Sequence, residues 1–137
     1  MNLNEVIFAN LIHNEDYGRK ALPFLKASYF QSRTDQIVFS AIEDFVQQYN
    51  KFPSKQALLI EIDQLSGLMD EEVKTIKRTI EGLGDVETNV DWLVDQTEHF
   101  CQDRAVYNAI MKSIQIFEGK AKEDKGAIPQ LLSEALA

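Results

Sequence analysis

The chain reads as all-α: a small helical-bundle head followed by a long helix that forms an αα-hairpin with a last short one. Three observations predict this. Apolar residues recur at i, i+3 and i+4 spacing along most of the 137 residues, and no segment alternates with period two. Ser, Asp, Asn or Pro stands at the head of the periodic segments, where helices begin. Between Thr88 and Gly119 there is neither a proline nor an internal glycine. As one helix that stretch would be ~45 Å long at ~1.5 Å per residue.

Taken in order, residues 2–12 form a first helix, with Leu3, Val6, Ile7 and Leu11 on one face and Asn2 or Asn4 as cap. Asn14 stops it and starts a short second segment, Tyr17 to Leu22, whose first turn holds Glu15 and Asp16. Pro23 ends that segment, because the residue before a proline is disfavoured in helix. Tyr29 and Phe30 form an aromatic pair in a loop, packing on the head. Ser32 with Asp35 resembles a capping box, Asp replacing the usual Glu or Gln. It opens the expected central helix of the head, carrying Ile37, Val38, Ala41, Ile42, Phe45, Val46 and Tyr49 and ending at Asn50.

Ser54 caps the next helix after Pro53, with Leu58, Ile62 and Leu65 on its buried face and Ser66-Gly67 as its breaker. Asp70 caps another, with Val73, Ile76, Ile80 and Leu83 apolar and Gly82 and Gly84 closing it. The long helix follows, with Thr88 or Asn89 as N-cap and Asp91 in the first turn, where the helix dipole favours a carboxylate. After the charged turn from Gly119 to Gly126, Pro129 stands near the first position of the last helix, where its missing N–H costs nothing. Ile128, Leu131, Leu132, Ala135 and Leu136 are its apolar face. The stripe stops at Ala137 without a polar cap, as in a piece of a longer protein.

The long helix carries two apolar sets. Val90, Leu93, Val94, Phe100, Cys101 and Ala105 lie in its first half; Val106, Tyr107, Ile110, Met111, Ile114 and Phe117 lie in its second. At ~100° per residue the two sets centre roughly 140° apart, and the change falls near Arg104. One reading is a single bent core helix wrapped by other elements. The sharper reading divides the chain into a head, residues 1–87, and a long helix plus hairpin, residues 88–137. Val106, Ile110, Ile114, Phe117, Leu131, Leu132 and Leu136 are then the candidate subunit interface. Arg104 is the candidate joint between head and hairpin, bonding a carboxylate or helix C-terminus of the head, or a neighbouring subunit. Trp92 lies off the first-half stripe, as a lid on the head or as an exposed anchor.

Composition narrows the function classes. A net charge of −8 argues against a non-specific duplex DNA binder, which needs a basic surface. One cysteine, Cys101, leaves no disulfide framework and fits a cytoplasmic setting. No apolar run approaches the ~20 residues of a membrane span, and the N-terminus lacks a signal pattern. No P-loop, G-x-G-x-x-G, H-E-x-x-H or C-x-x-C occurs. His99 and Cys101, two apart on a helix, point to different sides and cannot share a metal. Glu71 with Glu72, and Glu15 with Asp16, lie in first turns, where dipole complementarity accounts for them. No catalytic, cofactor-binding or metal-binding residue is expected in this chain.

The order of features is similar to the N-terminal domain of DnaB-type replicative helicases, and looks closest to bacteriophage members of the T-even kind. The stretches that carry it are Tyr29-Phe30 ahead of the Ile37 to Tyr49 helix, and Pro53-Ser54 with Ala57-Leu58. Trp92-Leu93-Val94 with Thr97-Glu98, Gln102 with Arg104-Ala105, and Gly126-Ala127-Ile128-Pro129 complete them. The similarity extends over nearly the whole chain from Ile7 onwards. The resemblance implies an oligomerisation and partner-docking collar, in which domains pair through their hairpins and assemble as a trimer of dimers on a hexameric ring. It implies primase, and in some systems a loader, as partners, and single-stranded DNA only through the full-length ring. ATP and magnesium belong to a RecA-like motor, which makes the longer protein an ATP-dependent 5′-3′ helicase; that motor is absent here. For a phage protein the setting would be the host cytoplasm. The competing expectation is a free-standing small acidic adaptor or inhibitor that binds a basic protein. A third, weaker expectation is contact of Arg19, Lys20 and Lys26 with single strands.

Overall fold

Four short polar side chains start the first four helices of the computed structural model, which describes all 137 residues. Asn2 Oδ1 accepts the Glu5 N–H at 2.9 Å and opens α1, Leu3–His13. Asn14 Oδ1 accepts the Tyr17 N–H at 3.2 Å and opens α2, Glu15–Ala21. Ser32 Oγ and Ser54 Oγ accept the Asp35 and Ala57 N–H groups, both at 3.1 Å, and open α3, Arg33–Tyr49, and α4, Lys55–Asp63. Each bond satisfies an N–H that the first helical turn leaves without an intrahelical partner. Next come α5, Asp70–Glu81, α6, Val90–Phe117, and α7, Ile128–Leu136. The chain is all-α, seven helices with three short 3₁₀ turns and no strand.

The chain forms two compact units, Met1–Asp95 and Gln96–Ala137. In the first, α3 packs against α1, α4 and α5, as its apolar spacing predicts. The core is aromatic at its centre. The Phe30 ring lies between Phe8 and Phe39, with centroids 4.9 and 5.3 Å away, and all three are fully buried. Offset ring pairs at this spacing add to the energy of burial itself. Leu58, Ile62, Ile76, Ile80 and Leu83 complete the core from α4 and α5.

Several local expectations change. Phe39, off the stripe expected for α3, is fully buried, because Phe30 and Phe8 come over that side of the helix. Tyr49, expected inside, is 52% exposed at the last turn. Leu65 is exposed as well, since α4 ends at Asp63 and Leu65 lies beyond it. Asp70 does not cap α5: it is the first helical residue, and Met69 holds the cap position. Met69 has no oxygen to offer the helix, so only the reverse half of a capping box forms, with Glu72 Oε1 accepting the Met69 N–H at 3.2 Å.

Two loops of this unit are tied by specific contacts. Asn50 ends α3 in the left-handed region, φ 56°, which Asn tolerates better than most residues. Arg19 holds it there, donating from Nη2 to the Asn50 carbonyl at 3.0 Å. The Phe52 ring approaches α2 so closely that a Cβ on Gly18 would stand 2.6 Å from it and would have to displace the ring. Ahead of α6, the buried Asn10 donates from Nδ2 to Thr88 Oγ1 at 3.3 Å. His13 Nε2 lies 2.9 Å from the Leu83 carbonyl oxygen.

The second unit holds most of α6, the charged turn and α7. Gly119, φ 77°, ends α6 in a Schellman arrangement. The Lys120 N–H donates to Gln115 O at 2.8 Å and the Gly119 N–H to Ile116 O at 3.1 Å. The turn is then anchored to α6 by a Lys112–Glu123 ion pair at 3.2 Å and by Lys125, whose Nζ lies 4.8 Å above the Phe117 ring. Pro129 falls in the first turn of α7, which has no fully buried residue.

Candidate subunit interface

The distal part of α6 presents two opposite stripes at i, i+3, i+4, i+7 spacing. One comprises Ala109, Lys112, Ser113 and Ile116; Ala109 and Ile116 are buried and the other two half-buried. Its polar members are satisfied locally: Lys112 by Glu123, and Ser113 Oγ by donation to the Ala109 carbonyl at 2.7 Å. The other comprises Tyr107, Ile110, Met111 and Ile114, all between 41% and 46% exposed. At ~100° per residue the two are roughly 160° apart. The more apolar stripe is thus the one facing out.

The residues expected at an interface fall as follows. Ile110, Ile114 and Phe117 are exposed, Phe117 at 67%, and Val106 is half-buried beside them. On α7, Leu131 and Leu132 are half-buried and Leu136 is 74% exposed. Tyr107 and Met111 belong with the outer stripe and were not among the expected contacts, although their spacing from Ile110 and Ile114 was the available signal. Ala109 and Ile116 went unnoticed as the inner positions because Lys112 and Ser113 between them hide the stripe. Arg104 is half-buried, with its guanidinium 4.6 Å above the Tyr107 ring one turn on. Trp92 is 52% exposed.

Charge differs sharply between the units. Met1–Asp95 holds sixteen acidic and nine basic residues, net −7; Gln96–Ala137 holds six and five, net −1. Between Ala105 and Phe117, Lys112 is the only charge, and it is paired. Glu123's own backbone N–H, and then the Lys112 ammonium, hold the Glu123 carboxyl below the usual range. Burial, and then the nearby Glu98 carboxylate, push the Cys101 thiol up to about 11. No three His, Cys, Asp or Glu side chains converge on a possible metal position. No helix is long and apolar enough to cross a membrane.

The three basic residues considered for single-strand contact are each engaged locally. Arg19 bonds Glu15 and Asn50, Lys20 pairs with Asp16 at 3.4 Å, and Lys26 lies 5.9 Å above the Tyr29 ring.

Fold and stripe define an all-α domain of a kind that keeps a large apolar helical face outside its own core. In sequence it is related to phage replicative helicases: over 142 aligned residues it is 32% identical to the DnaB-like replicative helicase of Enterobacteria phage T4. The alignment covers 97% of this chain and 30% of that protein, so the chain spans under a third of the relative's length. That bears out the resemblance to the N-terminal domain of such a helicase. No family model matches the chain.

Proposed function

We propose that this chain is the N-terminal collar domain of a phage replicative hexameric DNA helicase, which pairs with copies of itself and docks primase and a loader. The observation that carries the reading is the outward stripe of Tyr107, Ile110, Met111 and Ile114, set over a less apolar inner stripe. A second copy suits it. The distal unit is nearly neutral, so two of these faces can meet without strong repulsion, whereas two heads at −7 each repel. Val106, Phe117, Leu131, Leu132 and Leu136 extend the contact, and Arg104 braces Tyr107 at its edge. In this reading a motor in the longer protein binds ATP and magnesium and moves on single-stranded DNA. The collar raises the motor's effective concentration for ring assembly.

Sedimentation of the purified chain tests the pairing. The chain associates with rising concentration, while Ile110→Glu stays monomeric with the thermal unfolding of the head unchanged. A monomer at high concentration both before and after the substitution rejects the interface.

The acid concentrated in Met1–Asp95 favours one other reading, a free-standing adaptor that binds a basic protein. Reading the gene past codon 137 separates the two. An open frame with a Walker A lysine downstream leaves only the collar, and an immediate stop leaves only the adaptor.

A further inference from the structure

The outer stripe of α6 has ends of opposite charge. In a seven-residue frame Tyr107 and Ile114 hold the first position, a, and Ile110 and Phe117 the fourth, d, the pattern by which two helices mesh. Arg104, Met111 and Glu118 then share position e, along one edge of that seam. The frame continues past Phe117, since the Glu118 N–H still donates to the Ile114 carbonyl at 2.9 Å. At the other end the Arg104 guanidinium lies over the Tyr107 ring. Glu118 pairs with the exposed Lys120 at 2.8 Å, a contact of the kind that contributes little and is readily exchanged.

Two copies can mesh along this seam with their chains running opposite ways or the same way, and the charges tell the two apart. Run opposite ways, a positions meet d positions of the second copy, and e positions meet e positions. The alignment that uses all four apolar residues sets Tyr107 on Phe117 and Ile110 on Ile114 of the second copy, and the reverse. That same alignment brings Arg104 to Glu118 at both ends and Met111 to its counterpart in the middle.

Run the same way, e positions meet the position before a. Arg104 then faces His99 of the second copy and Glu118 faces Ser113, so neither meets an opposite charge. The d position one heptad before Ile110 is Asp103, which is exposed, so copies running the same way also bring two Asp103 carboxylates together in the seam. Opposed copies place Asp103 beyond the end of the second α6 instead. Charges at the edge of a seam select direction in this manner, because like charges held opposite each other repel.

We propose that two copies pair through this stripe in opposite directions, in the one register that Arg104 and Glu118 fix by pairing across the seam. It rests on the self-pairing proposed above, and adds the residues that select direction and register.

Sedimentation equilibrium of the intact chain and its charge variants tests it. Arg104→Glu and Glu118→Arg, each alone, set like charges at both ends and are expected to weaken self-association ~10-fold. Together they restore an opposite pair, and the double variant is expected to associate at least ~5-fold more tightly than either single one. Circular dichroism checks that helicity is kept; if a charge reversal loses it, Arg104→Gln and Glu118→Gln each still weaken association ~3-fold. Direction is read separately. Gln102→Cys, at an exposed position beside the buried Cys101, carries a spin label for distance measurement in the dimer. Labels ~30 Å apart along the axis are expected for opposed copies, from roughly twenty residues at ~1.5 Å each, against less than ~20 Å for copies running the same way. The shorter distance, or a double variant no tighter than the single ones, overturns the direction and register while leaving the pairing in place. A parent chain that stays monomeric at high concentration overturns both.

Discussion

The two units differ in which apolar residues they bury. In Met1–Asp95, the large central side chains Phe8, Tyr17, Phe30 and Phe39 are sealed, while Phe24, Ile60, Met69 and Trp92 are exposed. In Gln96–Ala137, the buried positions of α6 include small or modest residues, Ala109 and Ile116, while Tyr107, Ile110, Met111 and Ile114 face out. The head closes over its own aromatic core. The distal unit leaves an apolar face outside. The charge differs in parallel: −7 on the head and −1 on the distal unit.

The largest effect that could break this contrast is in the head. Phe30→Ala removes the middle ring of the stack, and large-to-small changes of this kind cost about 3–5 kcal/mol. Chemical denaturation of the variant measures it. Phe117→Ala in the distal unit is expected within about 0.5 kcal/mol of the parent by the same measurement, as for other exposed positions. Similar losses at both sites would erase the distinction.

Gly18→Ala comes next. Its Cβ would sit 2.6 Å from the Phe52 ring, so the ring and the loop that Arg19 holds must move, at about 1–3 kcal/mol. A smaller thermal shift than that would mean that the loop between α3 and α4 yields easily. In the distal unit, Ile114→Glu is expected to weaken self-association ~10-fold, about 1.4 kcal/mol, with unchanged monomer stability. Sedimentation equilibrium reads the first quantity and thermal unfolding the second. An unfolded variant would show that the outer stripe belongs to the chain's own core.

The smallest effect is one of pH. Arg33 Nε donates to Glu72 Oε2 at 2.7 Å and the Met69 N–H to its other oxygen, and together they hold the Glu72 carboxyl below the usual range. A lowered carboxylate pKa gives stability that is full above the ordinary Glu range and fades as pH falls through the folded value. Glu72→Gln should flatten the acid limb of a stability-against-pH curve by lowering stability slightly at neutral pH while leaving it unchanged at acid pH. Burial and the adjacent Asp44 act the other way on Glu43, raising its carboxyl, so Glu43→Gln should remove a loss of stability that sets in as pH rises through its titration.

Much of the fold was legible because caps are local. Asn2, Asn14, Ser32 and Ser54 mark their helices by chemistry confined to a single turn. Met69 defeated the same logic, since the helix it precedes is closed by Glu72 reaching back. Burial was less legible where it depends on partners distant in sequence. Nothing in the spacing of α3 alone tells that Phe30 will cover Phe39. The outer stripe of α6 was readable as apolar, but which stripe turns inward was not: Lys112 and Ser113 look like solvent positions until Glu123 and the Ala109 carbonyl satisfy them. The fastening of α2 to the loop after α3 was equally hidden, because it rests on Arg19 meeting Asn50, 31 residues away.

Cys101 has a practical consequence. A thiol raised to about 11 is almost wholly protonated at neutral pH, and burial shields it further from reagents. The natural chain is therefore close to a silent background for thiol labelling. A cysteine placed at Ile110 or Phe117 would react while Cys101 did not, so a single dye could report on the outer stripe without first rebuilding the interior.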